Sequence, residues 1–163
     1  MAQKTTIKTR TLKNNRQMGA YRQGMDLLVG FYSGAQFKPF GYSTGCKISD
    51  SAETGQRVTK EMTSAQTTAA WKEKYIKSVS ETITAEGFVY DDVAATSVSM
   101  PNLKEAFMNR AVVTVRYKYR NDDTFTYEGS FIITSLEHDG PADDDEKWSI
   151  TLENSGPVVK ITA

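Results

Sequence analysis

Apolar and polar positions alternate along most of this chain, which is the pattern of half-buried β-strands. The first apolar cluster, Met25-Asp26-Leu27-Leu28-Val29-Gly30-Phe31-Tyr32, predicts a core strand, and Gly34 and Pro39 punctuate the stretch after it. From Tyr42 to Asp50, Tyr42, Thr44, Cys46 and Ile48 share one face, with Ser43, Gly45, Lys47 and Ser49 on the other. Ser78 to Tyr90 predicts a long strand. Its Ser78, Ser80, Thr82, Thr84 and Glu86 form a small polar face, while Val79, Ile83, Ala85 and Val89 lie opposite, interrupted by Glu81. The clearest element is a hairpin in which Val113, Val115, Tyr117 and Tyr119 lead through Asn121-Asp122-Asp123 to Phe125, Tyr127, Phe131 and Ile133. A three-residue loop there places Tyr117 opposite Tyr127, Tyr119 near Phe125, and Arg116 opposite Glu128 on the other face. A last strand, Lys147 to Glu153, buries Trp148, Ile150 and Leu152.

Two segments depart from this period. Leu103, Ala106, Phe107 and Arg110 recur at helical spacing after Pro101, predicting one short helix of about two turns with Asn102 as its N-cap. Residues 51–69 hold only Val58 and Met62 as large apolar groups and read as a long polar loop, of the kind that is functional or mobile. Trp71, Tyr75 and Ile76 then return the chain to the core through a short helical turn. Seven or so strands with one helix predict a mainly β domain, a sandwich or barrel with a short helix and a long polar loop attached. The chain divides into a basic N-terminal arm, residues 1–24, and one β-rich domain, residues 25–163; a length of 163 residues suits one such core.

Charge sharpens this division. The arm carries Lys4, Lys8, Arg10, Lys13, Arg16 and Arg22 and no acid, whereas residues 121–153 carry ten acids and the single base Lys147. That asymmetry points to a charge-paired assembly arm built on Lys8, Arg10, Lys13 and Arg16, meeting acidic surface within one subunit or between neighbours. Nucleic acid is the alternative partner for the arm.

Catalytic chemistry finds no foothold in these residues. There is one cysteine, Cys46, and one histidine, His138, so neither a disulfide nor a Cys/His zinc cluster is available within the chain. Cys46 reads as a small packing residue and the chain as made in a reducing cytoplasm. The acidic run from Asp139 to Glu146 does not match the calcium-loop spacing and reads as a surface loop. No apolar run approaches the ~20 residues of a membrane span, and the first residues lack the apolar stretch of a secretory signal. No enzyme activity and no cofactor are expected.

The order of four stretches resembles the tail tube proteins of long-tailed bacteriophages. These are Met25-Asp26-Leu27-Leu28; Lys47-Ile48-Ser49 with Ala52-Glu53-Thr54; Trp71-Lys72-Glu73 with Val79-Ser80 and the run from Ala85 to Tyr90; and Ile132 to Leu136 with Trp148 to Gly156. The resemblance covers about Gly24 to Gly156, and none of its stretches is a catalytic-grade signature. It implies a structural virion protein, made in the host cytoplasm, that forms hexameric rings around a shared β-barrel. The rings would stack into a tube through which genomic DNA passes without specific binding. Four strands from each of six subunits, at ~4.8 Å per strand and ~40° tilt, give a barrel roughly 45–50 Å across, wide enough for a duplex.

It further implies tail completion, tape measure and baseplate proteins as partners, and no membrane insertion. The ring-stacking loop would use Glu53, Thr54, Arg57, Val58, Lys60, Glu61 and Met62. Ser80, Thr82, Thr84 and Glu86 are the candidates to face the lumen, with Arg116, Lys118, Thr126 and Glu128 as a second set. The competing readings are a ring-forming tube of a phage-like secretion or injection system, and a β-sandwich binding module, which would need an exposed aromatic cluster.

Overall fold

The computed structural model describes residues 22–57, 72–90, 96–120 and 122–161. Their elements in chain order are β1 (Leu27–Ser33), β2 (Gln36–Pro39), β3 (Ser43–Arg57), β4 (Glu73–Phe88), α1 (Met100–Met108), β5 (Val112–Tyr119), β6 (Asp122–Asp139), β7 (Lys147–Asn154) and β8 (Val159–Ile161). All the strand pairs are antiparallel, in the order β2-β1-β5-β6-β7-β4-β3, with β8 pairing β6 beyond the end of β7.

The sheet is not flat. Tyr117 on β5 donates its hydroxyl to Glu81 Oε2 on β4 at 3.1 Å, although two strands separate them in the sheet. Phe40, just past β2, meets Trp148 on β7 edge-on at 5.9 Å, and Phe31 at 5.4 Å. Such contacts require the sheet to curl so that one face encloses the core. The inward positions are Val29, Val115, Phe131, Trp148, Ile150, Leu152, Ile83 and Ala85, all buried. Burying a large apolar side chain contributes about 1.5–3 kcal/mol. Leu103 and Met100 of α1 complete the core, and α1 packs on β6. The Trp148 indole donates to the Phe88 carbonyl at 3.0 Å, so its polar atom is satisfied inside.

Gly30 shows why one strand position is fixed. A Cβ there would lie 2.1 Å from the Lys38 carbonyl oxygen, so only glycine lets β1 and β2 pair. The turn between them has positive φ at both Gly34 and Ala35, the handedness that suits a two-residue hairpin turn.

The expected pairings Tyr117 with Tyr127 and Arg116 with Glu128 are both present. Tyr119, however, pairs with Asp122 across a register shift, so β6 carries extra residues there and the simple three-residue loop is replaced by a shorter turn. The helix begins earlier than expected: Ser99 is the N-cap, Pro101 sits in the first turn, and the Ser99 hydroxyl donates to Asn102 Oδ1 at 2.6 Å.

The larger correction concerns residues 51–69. Ser51 to Arg57 are strand, not loop: they continue β3 and pair with β4, which itself starts at Glu73. Small polar residues lack the apolar alternation that marks a strand in sequence, yet a ladder of backbone hydrogen bonds holds them. Residues 58–69 and Trp71 lie outside the described residues. Tyr75 and Ile76 do not enter the core or form a helical turn; they are exposed on β4. Val79 is on the apolar inner face, as its alternation predicts, but is 64% exposed. The reason is length: β7 pairs only with Thr82 to Phe88, so the outer half of the β3–β4 ribbon runs past the core with nothing among the described residues to cover it.

Candidate assembly surfaces

Three surfaces stand out: the outer face of the sheet, the projecting β3–β4 ribbon, and a cavity at the open end of the curl.

The outer face arises from register. Thr84 lies beside Lys47 on β3 and Thr151 on β7, and Thr151 lies beside Ser135 on β6. The next row is Ser49, Thr82, Glu153 and Ile132; the row on the other side is Gly45, Glu86, Ser149 and Glu137. Across these rows of four strands the face is small hydroxyls, three carboxylates, one base, Lys47, and one exposed apolar residue, Ile132. Ser80 sits further out with its hydroxyl 2.7 Å from that of Ser51. The face continues onto β5, but its character changes. Arg116 gives two hydrogen bonds to Glu128 Oε2, at 3.0 and 2.6 Å, and its guanidinium lies 3.5 Å from the centre of the Tyr32 ring. Lys118 lies over Phe37 at 5.6 Å. These cations are thus held by acids and rings of their own subunit. Thr126 is only 7% exposed, which departs from its expected place on an open polar face; it is on β6 where β8 pairs.

The ribbon carries Glu53, Thr54 and Arg57 from the expected stacking set, while Val58, Lys60, Glu61 and Met62 lie outside the described residues. Lys77 approaches Glu53 at 3.5 Å, and Arg57 pairs with Glu73 at 2.9 Å. Tyr75 stacks across the space above Gly55, where a Cβ would meet its ring at 2.5 Å. On the other side of the ribbon Ile76 and Val79 are left exposed beside Ala52. Sequence periodicity misses this apolar strip because a register shift between Glu53 and Thr54 breaks the alternation.

The cavity, about 960 Å³, lies at the root of the ribbon, between it and the Tyr117 end of β5. Asp50, Val79, Glu81, Tyr117, Tyr119 and Tyr127 are among its walls. Glu81 is 6% exposed, and Tyr117 donates to its Oε2. Burial pushes the Glu81 carboxyl up to about 7; the Tyr117 hydrogen bond opposes this, and Asp50, paired opposite it on β3, adds to it through a side-chain hydrogen bond and then through its charge. Burial, then the Glu81 charge, raises the Tyr117 hydroxyl as well. The tyrosine rings of residues 117 and 127 stack at 5.3 Å, so the expected cross-strand pair forms one wall. In the sequence Glu81 reads only as an interruption, and its position amid apolar alternation is the available signal.

The basic arm residues Lys8, Arg10, Lys13 and Arg16 lie outside the described residues. The described chain opens at Arg22, whose guanidinium pairs with Asp122 at 3.2 Å and lies 4.3 Å from the centre of the Tyr119 ring. Cys46 packs against the core and burial raises its thiol pKa, the setting of a packing residue. His138 is on β6 and pairs with Glu146.

A family model described as phage tail tube protein matches residues 22–160. The chain belongs to the phage tail tube protein family. As a tail tube protein it is a structural subunit, and its mainly β fold is that of the family. The tail of an empty gene transfer agent particle, refined with C6 symmetry, matches with a TM-score of 0.68 at 19% identity, over 87% of this chain and 100% of that one. The SPP1 tail tube matches with a TM-score of 0.52 at 17% identity, over 86% of this chain and 79% of that one. The sheath/tube terminator of an extracellular contractile injection system matches with a TM-score of 0.58 at 13% identity, over 89% and 99%. No curated protein matches this tail tube chain.

Proposed function

We propose that six copies of this chain close into a ring around a shared β-barrel, that rings stack into a tail tube, and that genomic DNA passes through it into the host. The observation that carries this reading is the outer face of β3, β4, β7 and β6. A conduit for a polyanion must avoid gripping it, because each lysine or arginine contact adds salt-dependent affinity. This face offers hydroxyls and Glu86, Glu137 and Glu153 against the single base Lys47 in its central rows. Ser80, Thr82, Thr84 and Glu86 then face the lumen. Arg116, Lys118 and Glu128 lie at its margin, their charges engaged within the subunit.

Four such strands from each of six subunits give about 24, and a barrel roughly 48 Å across at ~4.8 Å spacing and ~40° tilt. The ribbon reaches the next ring, with Glu53, Thr54 and Arg57 on its strands and Val58, Lys60, Glu61 and Met62 in the connection between them. The N-terminal segment, through Lys8, Arg10, Lys13 and Arg16, ties neighbouring subunits together. Tail completion, tape measure and baseplate proteins bound the tube, and the subunit is made in the host cytoplasm. A tube of a contractile injection system is the second reading, supported by the likeness to the tube terminator.

Mass measurement across a concentration series, with electron microscopy of the concentrated protein, tests the proposal. Hexamers and then tubes are expected. A species that stays monomeric at high concentration, with no polymer in the images, overturns it.

A further inference from the structure

The ribbon leaves the body of the subunit at one residue. β7 pairs with β4 from Thr82 to Phe88, so its ladder stops just short of Glu81. Asn154, at the end of β7, extends that support with a side chain: its Oδ1 accepts the Glu81 N–H at 2.9 Å, and its Nδ2 donates to the Gly156 carbonyl at 2.8 Å. From there toward Glu73, β4 pairs only with β3 among the described residues. The Glu81 side chain ties the same point in two further directions. It accepts from Tyr117 on β5 at 3.1 Å, and it is hydrogen-bonded to Asp50, its paired position on β3.

That last bond has a chemical requirement. Two carboxylates offer only acceptors, so a hydrogen bond between them exists only while one of them carries a proton. Tyr117 gives its single hydroxyl hydrogen to Glu81 and has none left for Asp50. Among the described residues β3 brings Asp50 to the cavity wall, β5 brings Tyr117 and Tyr119, and β6 brings Tyr127; no base lines it. Two bases lie beside these tyrosines without reaching the wall: Arg22, over the Tyr119 ring and paired with Asp122, and Lys160 on β8, opposite Tyr127.

We propose that Asp50 and Glu81 share one proton, and that this proton is a pH-sensitive catch for the ribbon. Held, it fastens β3, β4 and β5 together at the ribbon's root. Lost, it leaves two anions on paired positions and frees the ribbon to swing. The open cavity beside them, about 960 Å³, gives the parted carboxylates room to turn away from each other. Burial and the Asp50 bond, against the pull of Tyr117, raise the Glu81 carboxyl from about 4.5 to about 7. A raised carboxyl favours the closed state at low pH, so the catch opens as pH rises through about 7. The device belongs to the single subunit, and its test is independent of ring formation.

Hydrogen exchange of the unassembled full chain, read by NMR as protection factors at pH 6 and pH 8, tests it. A carboxyl shifted from about 4.5 to about 7 gives about a tenfold loss of protection over that interval, expected at ribbon amides of residues 51–56 and 74–80. Amides of β2, whose pairing with β1 does not involve Glu81, should change by less than about twofold. Glu81→Gln, which donates to Asp50 without a titrating proton, should abolish the ribbon's loss. Asp50→Asn separates a shared proton from simple burial of Glu81. It should lower the Glu81 midpoint, read by carbon NMR of the carboxyl, by about 1 unit and shrink the ribbon's loss to about twofold. Ribbon protection that does not change with pH, an equal loss at β2, or an unmoved midpoint in the Asp50→Asn protein overturns the proposal.

Discussion

Replacing Thr82 and Thr84 together with lysine is the sharpest test of the lumen assignment. Both side chains are on the outer face, half-buried among their cross-strand neighbours rather than in the core. Lysine at position 84 would face Lys47, and like charges opposite one another cost about 0.2–1 kcal/mol. Lysine at position 82 would face Glu153, which offsets a similar amount. The subunit should therefore change in stability by less than ~1 kcal/mol and still fold and assemble. What should change is the affinity for duplex DNA. Each new phosphate contact steepens the salt dependence by ~0.9, or about 3.5-fold in affinity between roughly 50 and 200 mM salt. Two contacts per subunit give about a twelvefold change over that range. Urea unfolding of the subunit, microscopy of tubes, and duplex binding at a series of salt concentrations measure the three quantities. Folded subunits that no longer form tubes would mean that the face is buried between subunits. Tubes whose DNA binding keeps the original salt slope would mean that it points away from the DNA. Either result refutes the reasoning.

Ile76→Asp should leave subunit stability within ~0.5 kcal/mol, because Ile76 is exposed, yet stop growth of stacked rings in microscopy. Gly30→Ala should destabilise the subunit by on the order of 2–4 kcal/mol in urea unfolding, since the added methyl meets backbone that cannot yield. Tyr117→Phe removes the hydroxyl that holds Glu81 and should cost about 1–3 kcal/mol by the same measurement. The raised Glu81 pKa makes the folded state bind its proton more tightly than the unfolded one. Stability should then fall as pH rises from about 4.5 to about 7, by no more than ~3 kcal/mol, and Glu81→Gln should abolish that slope in pH-dependent urea unfolding.

The strands that bury apolar groups were legible because burial imposes a period. Trp148, Ile150 and Leu152 alternate on β7 and are all in the core, and the Tyr117–Tyr127 and Arg116–Glu128 pairs come from matching both faces of one hairpin. Where no burial acts, the period vanishes. Ser51 to Arg57 form strand through backbone bonding and polar cross-strand pairs, which leave no apolar period, and β2 and β8 are too short to show a pattern. The outer face was legible in part: Ser80, Thr82, Thr84 and Glu86 share it, but their neighbours Thr151, Ser149 and Ser135 are set by a strand order that local alternation does not contain. The cavity was not legible, because Asp50, Glu81 and Tyr117 come from three strands brought together only by the curl.

The sheet order leaves β3 at one end, with fifteen residues and one side of its backbone unpaired among the described residues. At about 3.3 Å per residue that is roughly 50 Å of open hydrogen-bonding edge. An edge of this length is a template for any passing strand, and it is tolerated here because exposed charges such as Lys47, Asp50 and Glu53 stud it. A solitary subunit is thus guarded by charge along an edge that it leaves unpaired, rather than by a finished surface. Under the ring proposal that edge is where the next copy would add its strand, so the feature that endangers a lone chain would be the one that a rising subunit concentration puts to use.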